Sequence, residues 1–285
     1  MLALGIDIGG TSVKAALLLD GRVVAESRSD PYHRPIASQL SAAVAQVVPR
    51  SPPDAIGVCL PGAWDEARGV VSASINVPGV VGVAPHELLG YSHSPFVRVF
   101  TDARAAAFDV FETERLDQRL FAVSIGTGVG AAVIDPGGSQ LLCTGRSSGH
   151  FGQIDVTVPE PGIEAPIGPD GGRGGLEAYV GLHALLTRYG GSPADIPARF
   201  GPDDPPLIAL ARSLRIAHAI YRPIHFRLLG GLGIRLSPMI AGLRTMVEDG
   251  LTSVARPGWT LRCGTSDHHA ARGAAALAAR EFTMS

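Results

Sequence analysis

Between Leu2 and Ser27 the segment LALGIDIGGTSVKAALLLDGRVVAES alternates apolar and small residues on both sides of a glycine loop, then reverses at Asp20 and Gly21. Alternation with a period of two, interrupted by glycine turns, predicts a glycine-linked β-meander. The design recurs in LFAVSIGTGVGAAVIDPGGSQLLCTG: a strand, a Gly126-Thr127-Gly128 loop, a second strand, a Pro-Gly turn and a third strand. The copies begin roughly 115 residues apart, far beyond solenoid periods, so two related lobes are expected. Between them lie a helix-like SQLSAAVAQVV, the strand DAIGVCL ending at Pro61 and Gly62, and a helical pattern from Ala103. A proline- and glycine-rich stretch from Pro159 to Gly175 follows the second meander. Helical patterns from Leu176 and Leu207, a final strand FRLLGG and an alanine-rich HAARGAAALAARE close the chain. Strands alternating with helices predict an α/β fold, with residues 1–113 as the N-terminal lobe and 114–285 as the C-terminal lobe. The last helix is expected to be able to return to the N-terminal lobe.

A chain of 285 residues is long enough for two cores flanking a cleft. Its formal charge of −2 with 18% charged residues supplies no basic field for nucleic acid. Cys59, Cys143 and Cys263 are odd in number and widely separated, which fits neither a disulfide framework nor a clustered metal site. The chain enters its first strand within two residues of Met1, and no apolar run reaches spanning length. These features predict a cytoplasmic protein without membrane or nucleic-acid partners.

Glycine turns between strands expose backbone N–H groups that can bind phosphate oxygens, and Gly9-Gly10-Thr11 and Gly126-Thr127-Gly128 occupy equivalent places in the two copies. One such turn is also what any tight hairpin wants; two in duplicated positions could grip one polyphosphate. Asp7, at a strand end before the first loop, could hold Mg²⁺ through water or merely cap its turn. Lys14 on the next strand points to phosphate or to solvent. Asp102 follows VRVF and precedes ARAAAFDVF, a good position for a helix N-cap and equally for a carboxylate receiving a substrate proton. Gly230, Gly231 and Gly233 could let a nucleoside approach the backbone, or only turn strand into helix.

Taken in order, DIGGTSVK at Asp7 to Lys14, the PG of VCLPG, NVPG at Asn76 to Gly79, TDARAAA around Asp102, SIGTGVG, LLGGLG and RGAAALA resemble the motifs of ROK sugar kinases. The resemblance implies the two-lobed actin-like, ribonuclease H-like ATPase fold with duplicated mixed sheets. It also implies ATP on the glycine loops, Asp102 as catalytic base, Asn76 and Glu177 at the sugar, and Asp7 near Mg²⁺.

The chain departs from that pattern. Thr101 and Arg104 stand where the family carries asparagines around the aspartate, with Thr101 kept as a candidate sugar contact, and Gln153 replaces a sugar-binding glutamate. Val156, Gly168, Asp170 and Gly175 fall on the family's zinc ligands, so no zinc is expected. Gly149 and His150 in SSGHFGQ lie close enough in sequence to join the sugar site; a loop histidine is otherwise an ordinary polar residue. The expected activity is phosphorylation of a hexose hydroxyl by ATP, of the glucokinase kind. Its rivals are a non-catalytic sugar sensor and a kinase of N-acetylated hexosamines. The repressors among ROK relatives open on a helix-turn-helix, whereas this chain opens on a strand, which disfavours DNA binding. Family resemblance suggests a homodimer.

Overall fold

Large and small residues alternate along β1 (Leu2–Ile8), and the two sets go to opposite faces of a sheet. Leu4, Ile6 and Ile8 enter a core with Leu40 and Val44, while Ala3 joins a separate small-residue cluster with Ala16, Ala271 and Ala275. The computed structural model describes residues 1–91, 96–143, 147–192, 195–201 and 203–285. It divides into two compact units, Met1–Val110 with His268–Ser285, and Phe111–Asp267.

In the first unit β1 is followed by β2 (Val13–Leu19), β3 (Arg22–Arg28), α1 (Ala37–Ala45), β4 (Ala55–Cys59), β5 (Ala63–Asp65), β6 (Val70–Ala73), α2 (Pro85–Leu89), β7 (Phe96–Phe100) and α3 (Asp102–Thr113). The main sheet has the order β3-β2-β1-β4-β7, and β5 pairs with β6 as a separate ribbon. The meander strands pair antiparallel, whereas β4 runs parallel to both β1 and β7.

The second unit contains β8 (Leu120–Ile125), β9 (Val129–Asp135), β10 (Ser139–Gln140), α4 (Glu177–Val180), α5 (Leu182–Tyr189), α6 (Pro205–Tyr221), β11 (His225–Leu229), α7 (Gly230–Gly233), α8 (Ile240–Asp249) and β12 (Thr260–Cys263). Its sheet order, β10-β9-β8-β11-β12, repeats that of the first unit strand for strand, with the same senses of pairing. The duplicated meanders are therefore duplicated sheets. FRLLGG is not the final strand: β12 follows it, and at four residues after a Pro-Gly turn it is too short to carry a readable alternation.

The chain ends in α9 (His269–Met284), which belongs to the first unit. Ala271, Ala274, Ala275 and Ala278 on this helix are fully buried. Their seat is a strip of small residues on two paired strands, with Ala3 beside Ala55, Gly5 beside Gly57 and Asp7 beside Cys59. A Cβ on Gly5 would collide with the backbone of Ala271, one on Gly57 with Ala274, and one on Gly273 with Ala105 of α3. The helix thus lies in backbone contact with the sheet on one side and with α3 on the other. Asp109 Oδ2 to His269 Nδ1 at 2.6 Å and Arg98 to Glu281 at 3.1 Å tie its flanks.

Because Gly57 meets backbone rather than a movable side chain, Gly57→Ala is expected to cost roughly 3 kcal/mol in urea unfolding. Gly242→Ala on α8, where nothing lies within 4 Å of the added carbon, should be neutral or stabilise by up to about 1 kcal/mol.

Candidate functional site

The parallel strands of the first unit end in one row, with Asp7 paired to Cys59 and Cys59 to Phe100. Asp102 comes two residues beyond Phe100, at the start of α3. Asp7 is 8% exposed, and Lys14, its partner in the β1–β2 register, brings Nζ to 3.8 Å from Asp7 Oδ2. Burial pushes the Asp102 carboxyl up to about 6, and the negative charge of Asp7 pushes the same way; the Ala103 N–H and Lys14 pull against them. Protein atoms crowd this carboxyl although the residue keeps an exposed face. The neighbouring Cys59 thiol is driven up by burial first and by Asp7 and Asp102 next, which leaves it neutral and unreactive.

The helix cap at this junction is Thr101. Its hydroxyl accepts the Arg104 N–H at 3.2 Å and its carbonyl accepts the Ala105 N–H at 3.0 Å. Asp102 occupies the first helical turn, where its Oδ1 accepts the Ala103 N–H at 2.8 Å. The N-cap role open to Asp102 in the sequence is thus filled by its neighbour, and the Thr101 hydroxyl weighed as a sugar contact is engaged by the helix.

The first glycine loop closes through Gly9 N–H to Ser12 O at 3.1 Å. Tyr32 braces it from outside, its hydroxyl donating to Gly9 O at 2.7 Å and its N–H to Thr11 O at 2.9 Å. Burial and Asp7 raise the Tyr32 hydroxyl further above its ordinary range, so it stays a donor. Among the described residues no protein acceptor engages the N–H groups of Gly10 and Thr11. Nothing in the local sequence singles out Tyr32, which acts from a loop beyond β3. Asn76 lies half-buried in the bend after β6, before a turn anchored by Gly79 N–H to Pro35 O at 2.9 Å.

In the second unit Gly126 N–H donates to Gly128 O at 2.9 Å, and Leu182 at the start of α5 donates to Gly126 O at 3.0 Å. The loop rests on Glu177, whose Oε2 accepts the Val129 N–H at 2.8 Å and lies 3.0 Å from where a Gly128 Cβ would stand. The N–H groups of Thr127 and Gly128 have no protein acceptor among the described residues. Burial raises the Glu177 carboxyl and Asp170 adds to the rise, against the Val129 N–H. Beside Glu177 opens a cavity of about 440 Å³ lined by His150, Gln153, Asp170 and Arg173. The structure therefore gathers His150, Gln153 and Glu177 around one space. Gly149, at φ +111°, makes the turn that delivers His150.

Gly230, at φ +78°, packs its α-carbon against the Ile125 backbone, and Gly233 is buried against Leu228. Gly231 alone of the three has open space around it, with only an Arg235 nitrogen at 3.9 Å. Val156 is a core residue at 3% exposure, while Gly168 and Asp170 form a turn on the cavity wall. Among the described residues no three His, Cys, Asp or Glu side chains gather as metal ligands.

A model of the ROK family matches residues 3–200. N-acetylmannosamine kinase of Citrobacter koseri is 29% identical over 214 residues, covering 70% of this chain and 68% of that protein. The ROK hexokinase from Thermus thermophilus superposes with a TM-score of 0.77 at 22% identity over the whole of both chains. A ROK family glucokinase from Streptomyces griseus, solved with glucose and AMPPNP, gives 0.73 at 21% identity over 98% of this chain and all of that one. The fold is the actin-like ATPase fold, with its sheet present twice.

Because the folded-state value of Asp102 lies above its unfolded value of 3.8, its contribution to stability is fully present below that pH and is lost as pH rises through about 6. Asp102→Asn copies the uncharged form. The variant should melt at a higher temperature than the parent at pH 7.5, with the gap closing as pH falls toward 4, as followed by circular dichroism.

Proposed function

The chain belongs to the ROK family, and we propose that it is an ATP-dependent sugar kinase in which Asp102 takes the proton of the hydroxyl being phosphorylated. The observation that carries this reading is the Asp102 carboxyl itself: released from helix capping by Thr101, open to solvent, and raised to about 6. A base with that value is ionised near neutral pH yet still basic enough to accept a proton. In the step, the sugar oxygen bonds to the γ-phosphorus, the bond to the ADP oxygen breaks, and the hydroxyl proton passes to Asp102.

Each unit supplies a glycine loop with unclaimed N–H groups, Gly10 and Thr11 in one and Thr127 and Gly128 in the other, suited to phosphate oxygens. Gly231 is the member of its motif with room for a nucleoside. The buried Asp7 carboxylate, with an ammonium at 3.8 Å, fits a cation held through its water shell better than one bound directly. Magnesium bound there would offset charge on the transferring phosphates. In the second unit His150, Gln153 and Glu177 line one cavity with polar groups suited to sugar hydroxyls, and in the first unit Asn76 carries a half-buried amide of the same kind.

Glucose is the first substrate we propose, in keeping with the ROK hexokinase and glucokinase whose folds the chain shares. N-acetylmannosamine is the second reading, favoured by sequence kinship over 214 residues.

Coupled ADP-release assays with both sugars should give magnesium-dependent turnover that chelation abolishes. Sugar binding without turnover across a panel of hexoses and N-acetylhexosamines would replace the kinase reading with that of a sensor. Asp102→Asn should lower kcat on the order of a hundredfold with KM for sugar little changed. In the parent protein kcat/KM should fall as pH drops below about 6, following protonation of Asp102. A folded Asp102→Asn enzyme with near-parental turnover would remove that residue from the chemistry.

A further inference from the structure

The cavity beside Glu177 carries one pair of side chains whose chemistry is asymmetric. Gln153 Nε2 donates to Asp170 Oδ2 at 2.9 Å. A carboxylate can only accept, whereas a primary amide has a donating end and an accepting end. Asp170 therefore takes the NH₂ end of Gln153, and Oε1 has no protein donor among the described residues.

Asp170 is itself held. It stands in a turn closed by Gly168 N–H to Gly172 O at 2.7 Å and Gly171 N–H to Gly168 O at 3.0 Å. Its other oxygen, Oδ1, accepts the Gly172 N–H at 3.3 Å. The base of the turn is tied by Gly174 N–H to Pro166 O at 2.8 Å. Both Gln153 and Asp170 line the 440 Å³ cavity with His150 and Glu177.

We propose that Asp170 is a positioning residue of the sugar site, one that fixes the Gln153 amide with its carbonyl oxygen free for the cavity, so that the bound sugar must offer a hydroxyl or acylamino hydrogen to it. The inference rests on the sugar-kinase reading and adds the polarity of one contact. A neutral acceptor stands at this point, and its direction is set by a neighbour that does not itself touch the reacting atoms. Burial raises the Glu177 carboxyl and the negative charge of Asp170 adds to the rise, so Asp170 acts on a second group of the cavity wall.

The test compares the parent protein with Asp170→Asn, Gln153→Glu and the double variant that exchanges the two groups. Kinetics are measured with glucose and N-acetylmannosamine and with the monodeoxy series of the better substrate, and each variant is melted alongside. Asp170→Asn keeps the acceptor for Gly172 but can donate to Gln153, which lets the amide turn. KM should rise about tenfold, the worth of one hydrogen bond, with kcat within about twofold. Discrimination against one monodeoxy analogue should shrink by a similar factor. Gln153→Glu sets two carboxylates against each other and should also weaken sugar binding. The exchanged pair again has one donor facing one acceptor, with a free oxygen left over, and should return KM to within about threefold of the parent.

Unchanged KM and unchanged deoxy-sugar preference in folded Asp170→Asn would overturn the proposal while leaving the kinase reading intact. A uniform loss across all analogues that tracks melting temperature would also overturn it, reducing Asp170 to support for its turn. Should the single variant fail to fold, the exchanged pair still decides: restored affinity and preference support the proposal, and a folded exchange with neither refutes it. A parent protein that neither phosphorylates nor binds any sugar in isothermal titration would overturn the kinase reading and this inference with it.

Discussion

The first unit depends on how closely α9 can approach the sheet. Helix and strands meet backbone to backbone only because Gly5, Gly57 and their alanine neighbours form a strip without side-chain bulk, and because the helix presents alanines and Gly273 in return. Close approach gains dispersion contacts over many atoms while leaving little apolar surface to be matched in shape. It also sets chemistry. The strip ends at Asp7 and Cys59, so the seat of the helix and the end of the strand that carries Asp7 are one construction. α3, which starts at Asp102, leans on the other side of the same helix through Ala105.

Arg227 and Asp109 are buried, and each meets a partner. Arg227, 2% exposed on β11, gives its guanidinium to both oxygens of Glu114, at 3.1 and 2.5 Å. Asp109 Oδ2 and His269 Nδ1 meet at 2.6 Å between α3 and α9. Removing one member of such a pair strands the other in a poorly solvated place, which is why pairs of this kind hold elements in register. The carboxyls of Asp102 and Glu177 are handled differently. Each has a backbone N–H as a partner and no cation in salt-bridge contact among the described residues, and burial raises both. Against burial, hydrogen bonding and charge from Arg227 hold the Glu114 carboxyl below its ordinary value, whereas Asp102 and Glu177 stand above theirs.

Much of this was legible in the chain, for identifiable reasons. A period of two and glycine turns are local signals, so the duplicated meanders, the strand before Pro61 and the α/β class could be read directly. The large-small alternation of LALGIDI even encoded which face the last helix would take. Short or weakly patterned pieces escaped: β12 is four residues long, and β5 and β6 are a three- and a four-residue ribbon. Residues that act across loops escaped too. Tyr32 reaches Gly9 from 23 positions away, and Gln153 finds Asp170 across 17, with no periodicity to announce either. The junction at Thr101 and Asp102 shows the limit at single-residue scale, since both types cap helices and only the hydrogen bonds tell which one does.

The return of residues 268–285 to the first unit has a consequence for biosynthesis. A chain emerging from the ribosome presents its first 110 residues with one face of their sheet uncovered, the strip of glycine and alanine bare to water. The 157 contiguous residues from Phe111 to Asp267 contain every strand of their own sheet and can close their core before the last helix exists. Vectorial synthesis thus favours the second unit maturing first, although it is made later. The first unit waits on residues 268–285, and only molecules that contain them complete the strand ends where Asp7 stands.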